Sequence, residues 1–572
     1  MQRSLLRDRR VLAAGLFFVL MLAGAVTGSV RKFNGIPWWD MWGGSLGFYM
    51  SVQEGATGLW WQQHNEHRIV LSRVLFWLDN RFFGGIGVFL LSVGYSLAGA
   101  AAVVWWRVLR VASGTPRPTP LQATLGFFMA GGLFFWSQEN NFSWAFQSQA
   151  FLACFLPLCA LAALATAVPT NATAAFASAT VLGVLSAGSM ANGLLALPLM
   201  TLMAIVLRMS WVRIATLAAV SVAVISLYFV GYQAPSQHGS IAATAVHEPL
   251  ALLLYVLVWL GNPMYFMLGR GWIGMAGSAA AGLVLVLGSA FVAWRVAPQA
   301  RQRPLLVAAL FFILYIGGTA VAVAGGRLLF GIGGAVASRY TTPPLMAWCA
   351  FLVLVFAWNR ERLEGPWRRP ALAAVALSAL LMLVHQREAL LPMHTLVAEQ
   401  RLAALAATLD VDDPVALHSV APASATVLYT TRYAVPRKES IFGFYPFSEI
   451  QGRLGTTLAW KGARSCVGGM DLLEGIPSAP ATLRVHGWIY DPQAGSAPEL
   501  VTFLDERSIA VGFALTGWPR EDVARSIGSA ASLAGFRGYL SASARGKPLT
   551  VVGDRGACSL HVDSATTHYR PD

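Results

Sequence analysis

The chain has 572 residues, 56% of them hydrophobic and only 12% charged, with a formal net charge of +14 and a mean hydropathy of +0.57. Soluble domains carry about 25% charged residues, so the composition excludes an ordinary soluble protein and points to a polytopic membrane protein. Nucleic-acid binding is not indicated either: residues 1–390 hold 25 Lys and Arg against 10 Asp and Glu, residues 391–572 hold 16 against 17, and the excess lies in short loops beside apolar runs, where topology signals sit.

MQRSLLRDRR precedes an apolar run over 11–30. The run is long and lacks a small-residue cleavage site, so it reads as a retained first span with a cytoplasmic N-terminus. Residues 36–85 follow, beginning IPWWDMWGG and continuing GLWWQQHNEHRIVLSRVLFWLDNRFFGG. They gather Trp38, Trp39, Trp42, Trp60, Trp61 and Trp77 with Asp40, Glu54, His64, Glu66, His67, Arg68, Arg73 and Asp79. Tryptophan favours the membrane boundary, and ionisable groups at that depth are costly unless paired or working. The segment is therefore expected to be a first outer loop with interfacial helices that carries function; the alternative is an interfacial helix whose charges are merely solvated.

A span needs about 20 apolar residues. Further candidates lie at 84–106, 121–136, 147–167, 172–190, 194–207 and 214–232. Counting 250–268 as a crossing would place Arg295, Arg301 and Arg303 outside, so this piece is expected to re-enter or to lie in the interface. With 274–294, 304–324, 341–358 and 371–385, about eleven crossings and an outside tail result.

From about residue 391 the composition changes. LRVHGWIYD, LVTFLD, SIAVGFAL and LTVVGD read as strands at the spacing of an antiparallel sandwich. The expected fold is a polytopic α-helical membrane domain over 1–390 and a mainly β-sandwich extracytoplasmic domain over 391–572. Cys154, Cys159 and Cys349 lie in apolar runs, where thiols are inert packing. Cys466 and Cys558, alone in the polar tail, could pair if the tail is extracytoplasmic.

Carboxylates are scarce enough in the membrane part to weigh singly. Asp8, Glu361 and Glu364 belong to the expected cytoplasmic side and Glu388 to the exit of the last span; Asp40, Glu54, Glu66, Asp79, Glu139 and Glu248 fall outside. Asp40 sits between Trp39 and Trp42, where partial desolvation makes a carboxylate a better proton acceptor near neutral pH. Capping a helix that starts at Met41 is the compatible alternative. In HNEHR, a helix would put His64, Arg68 and Ser72 on one face and Glu66 and Arg73 on another. Ligands then fail to converge and Arg68 repels a cation, so the divalent-cation reading is weak and no cofactor is expected. His64, Glu66, His67 and Arg68 read instead as holders of hydroxyls or a phosphate, or as an interfacial helix with Glu66 and Arg73 paired. Glu139, in SQENNFSWAFQSQ beside Trp136, Phe142 and Trp144, resembles the mixed polar and aromatic lining of a carbohydrate site. Arg327, Arg339 and Tyr340 in GGRLLFGIGGAVASRYTTP suit an anionic lipid phosphate or headgroup anchoring. No Walker-type loop, GxGxxG after a strand or C-x-x-C occurs, which sets aside soluble-donor phosphoryl transfer and redox work.

A first span followed at once by an outer loop with an acid (WWDMW, Asp40), many further spans, ASRY near a late loop and an outer β domain together resemble the polytopic GT-C glycosyltransferases. That resemblance implies a sugar donor on a polyprenyl phosphate and Asp40 as catalytic base. Many members carry adjacent acids in this loop, whereas Trp39 and Met41 flank Asp40. Residues 483–540 are similar to a β-sandwich pattern GWaxD…PRxDV…aGF attached to some bacterial membrane glycosyltransferases, including arabinosyltransferase-like ones; Trp488, Asp491, Pro519, Arg520, Asp522, Val523, Gly535 and Phe536 carry it, as core and turn residues or as sugar contacts. The activity implied is inverting transfer to a glycan, lipid or protein hydroxyl at the outer face of a bacterial inner membrane. Arg339 or Arg327, with Arg68, would stabilise the departing lipid phosphate. A flippase or transporter of lipid-linked sugars, and a lipid-linked glycan ligase or polymerase, remain open alternatives.

Overall fold

The computed structural model describes residues 7–114, 117–233, 239, 241–460 and 464–570. The first six residues of the charged start, and most of the loop before residue 241, lie outside this set. Eight helices among the described residues are long and apolar enough to cross a membrane: Arg9–Lys32, Val88–Ala112, Ala145–Thr170, Trp211–Phe229, Trp272–Gln302, Pro304–Phe330, Ser338–Glu364 and Arg368–Leu390. The chain is a membrane protein.

Ile241–His247 and Pro249–Leu260 meet the same test only together, and they bend by 116° at the break. Pro249 explains the break, since a residue preceding proline is pushed out of the α region, and Glu248 lies at φ −134°, ψ 50°. Three other apolar runs expected to cross form short helices. Pro120–Gly132 has 13 residues, roughly 20 Å of helix against a hydrocarbon core of about 30 Å, and Thr173–Ala187 and Ala191–Val206 are also short. By length and composition the count is thus eight, or nine with the bent pair; the larger expected number rests on those pieces.

The chain divides into two compact units: Met1–Val30, Trp60–Val74 and Leu90–Leu391 form the first, and Arg31–Leu59, Leu75–Phe89 and Pro392–Asp572 the second. The 36–85 segment is therefore shared, with the boundary falling inside the helix Val70–Phe82. In the first unit, Met21, Trp105, Leu161, Met200, Phe312 and Val353 come from different helices and are all buried in one core. Close backbone approach binds Pro249–Leu260 to Trp272–Val296: a Cβ on Gly282 would stand 1.9 Å from the Leu257 carbonyl oxygen, and one on Gly261 1.9 Å from that of Ser278. Small residues at such crossings are how membrane helices pack.

In the second unit, the alanine-rich helix His394–Thr408 buries Ala403, Ala404 and Ala406 in a core shared with Leu515, Trp518 and Tyr539 of the sheet. The strands are β1 Arg464–Ser465, β2 Val467–Gly475, β3 Thr482–Tyr490, β4 Leu500–Leu504, β5 Ala510–Trp518, β6 Gly535–Ser541, β7 Pro548–Gly553, β8 Cys558–Asp563 and β9 His568–Arg570. They form one ladder in the order β1-β8-β7-β4-β5-β6-β3-β2-β9. The four stretches read as strands in the sequence fall in β3, β4, β5 and β7. Because β1 and β2 are separated only by Cys466 yet pair near opposite ends of the ladder, the sheet must curl until its ends meet. Cys466 is disulfide-bonded to Cys558 of β8, with Cα atoms 5.3 Å apart. Trp42 corrects the interfacial expectation for the tryptophans: it is 0% exposed and packs on Phe442, so its ring is core rather than boundary anchor.

Candidate functional site

All the expected substrate-binding residues, His64, Glu66, His67, Arg68, Glu139, Arg327, Arg339 and Tyr340, belong to the first unit, and Asp40 belongs to the second. HNEHR is not helical. His64 and His67 exchange backbone hydrogen bonds of 2.7 and 2.9 Å around Asn65, whose φ of 50° is the left-handed corner that asparagine tolerates. The face argument made for a helix therefore does not apply. Glu66 Oε1 stands 3.5 Å from His67 Nε2 and 3.5 Å from Arg327 Nη2. Glu66 thus pairs with Arg327, 261 residues further along the chain. His67 Nδ1 accepts from the Ala191 N–H at 3.2 Å, which assigns the proton of a neutral ring to Nε2, facing Glu66. The His64 ring packs 5.2 Å from that of Phe146.

Arg68 is 4% exposed. Its guanidinium donates to three backbone carbonyls: Nε to Tyr228 at 2.7 Å, Nη1 to Trp61 at 2.5 Å and Nη2 to Val230 at 2.6 Å. It also lies over the Trp61 and Tyr228 rings. Such a cation ties the backbone at Trp61 to that at Tyr228–Val230 and has little left to offer a phosphate. Arg73 is similar: Nη1 donates to the Trp60 and Gln62 carbonyls, and burial next to Arg68 pushes its pKa down to about 10.

A polar knot ties the residues after Glu139 to the backbone around Arg339. Asn140 N–H donates to Ser338 Oγ at 3.2 Å, and Asn141 Nδ2 to the Arg339 carbonyl at 3.0 Å and to Thr342 Oγ1 at 2.7 Å. Thr341 Oγ1 donates to Asn262 Oδ1 at 2.8 Å, and Asn262 Nδ2 to the Ala335 carbonyl at 3.0 Å. The Asn141, Asn262, Thr341 and Thr342 side chains are buried, so their bonds are made in a setting where leaving them unmade is costly. The guanidinium of Arg339 lies 5.2 Å from the Tyr340 ring and, among the described residues, has no hydrogen bond or ion pair. Tyr340 in turn packs 6.5 Å from Trp259.

Asp40 is half-buried. The residue before it, Trp39, has φ 51° and a ring 45% exposed, and its N–H donates to the Val420 carbonyl at 2.6 Å. The left-handed region is costly for a bulky residue. Directly after Met41 comes a π-helical turn, Trp42–Gly47, with no side-chain cap at its start. The Asp40 carbonyl, not its carboxylate, takes the Gly44 N–H at 2.7 Å, which leaves the capping alternative without its bond.

Two residues escaped the sequence reading as site candidates. Asp79 is 1% exposed; Oδ2 accepts from the Gly87 N–H at 3.1 Å, Oδ1 has no partner among the described residues, and burial raises its pKa to about 7. Its one sequence signal was an acid isolated in LFWLDNRFF. Tyr255, in an apolar helix, had none. In the β domain the pattern residues are tied into the fold: Asp491 Oδ1 accepts from the N–H groups of Gln493 and Ala494, Oδ2 pairs with Arg464, and Arg520 pairs with Asp471 and Asp522.

One pairing could serve ligand chemistry. Glu66 with Arg327 pairs an acceptor with a cation near the Phe330 ring, as sites for hydroxyl-rich or phosphorylated ligands do. Among the described residues no three His, Cys, Asp or Glu are grouped to hold a metal ion. Comparison of the chain with models of known families, with curated proteins and with solved structures finds no match.

Proposed function

We propose that the chain is an inverting membrane glycosyltransferase that moves a sugar from a polyprenyl-phosphate donor to an acceptor hydroxyl at the outer face of a bacterial inner membrane. The observation that carries this reading is the backbone at Asp40: a half-buried carboxylate set between a left-handed, solvent-facing tryptophan and a π-helical turn. π-Turns and strained non-glycine residues cluster at functional sites, and neither feature helps a merely solvated interfacial helix.

In this reading Asp40 takes the proton from the acceptor hydroxyl as its oxygen attacks the anomeric carbon. The bond from that carbon to the phosphate oxygen breaks, and the polyprenyl phosphate departs with the electron pair. Arg339, and Arg327 held by Glu66, supply fixed positive charge for the departing phosphate; Glu139, His64 and His67 offer acceptors and donors for sugar hydroxyls. We read the short apolar helices as completing about eleven crossings and the curled sheet as a sandwich outside. The Cys466–Cys558 disulfide supports an oxidising side for that domain. A pentofuranose donor rests on the tail's pattern resemblance alone.

Purified protein incubated with polyprenyl-phosphate sugars should release polyprenyl phosphate and glycosylate an acceptor. Asp40→Asn should lower this on the order of 10³-fold with the melting temperature unchanged; near-normal transfer would sink the assignment. Movement of intact lipid-linked sugar across vesicles without transfer would favour the flippase alternative instead.

A further inference from the structure

We infer that Tyr255 donates a hydrogen bond to a phosphate group bound between Arg327 and Arg339. Tyr255 is 0% exposed, and its Oη has no hydrogen-bond partner among the described residues. A phenol in a fully buried position normally finds a partner; where none exists, phenylalanine would fill the same volume without the desolvation cost. The hydroxyl therefore needs a reason other than packing.

Its surroundings say what is missing. The charges of Arg327 and Arg339 and the phenol of Tyr340 all act on Tyr255. The turns after Arg327 and before Arg339, Leu328–Phe330 and Ile332–Val336, pack against the helix that carries Tyr255, and guanidinium groups are donors only, so neither arginine offers the hydroxyl anything to donate to. An ionised phosphate has acceptor oxygens on every side and would serve all of these donors at once, with Arg's planar fork suited to its geometry. Nor can the loop opposite easily shift to satisfy the phenol. A Cβ on Gly334 would stand 3.2 Å from Tyr255 Oη, and the residues that follow are fastened by Asn262 to the Ala335 and Ala337 carbonyls.

The inference deepens the phosphate-binding half of the proposed function and rests on that half only. Phosphate chemistry is shared by a lipid monoester and free phosphate, and the assay separates them. Full-length protein in detergent would be titrated with farnesyl phosphate, inorganic phosphate and farnesol. Tyr255→Phe should weaken farnesyl phosphate binding by roughly 10- to 100-fold, the worth of one hydrogen bond to a charged group, leave farnesol binding unchanged, and melt no lower than wild type without ligand. Gly334→Ala, which presses on the hydroxyl, should weaken the same ligand. Equal Tyr255 dependence for inorganic phosphate identifies a free-phosphate site, and dependence for farnesyl phosphate alone a lipid site.

The inference is overturned if wild type binds neither phosphate, if Tyr255→Phe binds farnesyl phosphate as wild type does, or if the variant melts lower and loses farnesol equally, as a purely structural tyrosine would. The assay contains no sugar and no acceptor. Failure of glycosyl transfer and failure of this inference therefore show in different experiments.

Discussion

Two basic and aromatic stretches of the first unit, 60–73 and 327–340, look alike in composition but differ in what their arginines touch. Arg68 reaches three backbone carbonyls and two aromatic rings; the Arg339 guanidinium, among the described residues, reaches only the Tyr340 ring. A carbonyl that would be orphaned without its arginine makes that arginine structural. A guanidinium with open donors beside buried polar side chains is available to a ligand. Arginine beside tryptophan or tyrosine is therefore ambiguous until the carbonyls around it are accounted for.

Arg68→Ala should break the first stretch outright. Removing it orphans the buried Tyr228 carbonyl and frees the more exposed Trp61 and Val230 carbonyls, and should cost roughly 2–4 kcal/mol, seen as a fall in melting temperature and yield. Arg68→Lys should rescue little, since an ammonium cannot span three carbonyls. If Arg68→Ala instead melts like wild type and loses only ligand affinity, the contrast between the stretches is wrong.

Asp79 of the second unit is likewise held by the fold, through the Gly87 N–H. Asp79 has a folded-state pKa of about 7, above its ordinary 3.8, because burial penalises the charged form. Its native state therefore holds the proton more tightly than the unfolded chain. The stability this lends is full below about pH 3.8 and is lost as pH rises through about 7. Asp79→Asn should flatten that dependence and gain up to about 4 kcal/mol at pH 8, read from melting curves across pH. A pH-independent difference between variant and wild type would refute the buried, proton-holding state.

Smaller effects sharpen the second stretch. Arg339→Ala should lower transfer about 10- to 100-fold while the melting temperature holds, the reverse of the Arg68 outcome. Glu66→Gln breaks a partly exposed pair with Arg327 at 3.5 Å and should cost less than about 1 kcal/mol of stability. Its sharper readout is the apparent affinity for the donor, because freeing Arg327 strengthens the cationic side of the site.

The sequence carried the long apolar helices and the alternating strands well, since each follows from a local period. It did not carry the HNEHR corner, because that turn depends on Asn65 going left-handed and on ties from Arg68 to Tyr228 and from His67 to Ala191, both more than a hundred residues away. Asp40 stood out by its neighbours; its strained setting did not, because Trp39 is held by the Val420 carbonyl. Asp79 and Tyr255 stayed hidden for a third reason: burial with an oxygen left unpartnered belongs to the packed core and leaves no mark on the residues next in line. In the β domain the strands were legible, but their order, with β8 beside β1 and β9 beside β2, was not.

That order bears on how the protein is made. β8 covers β1 and β9 covers β2, so both margins of the ladder wait for residues 558–570. A chain made from its N-terminus leaves strands β2 to β7 with open edges until those residues arrive, and unpaired edges invite other chains. Sheet completion thereby waits for β8 and β9, and the interval before they arrive is when a chaperone would find most to hold.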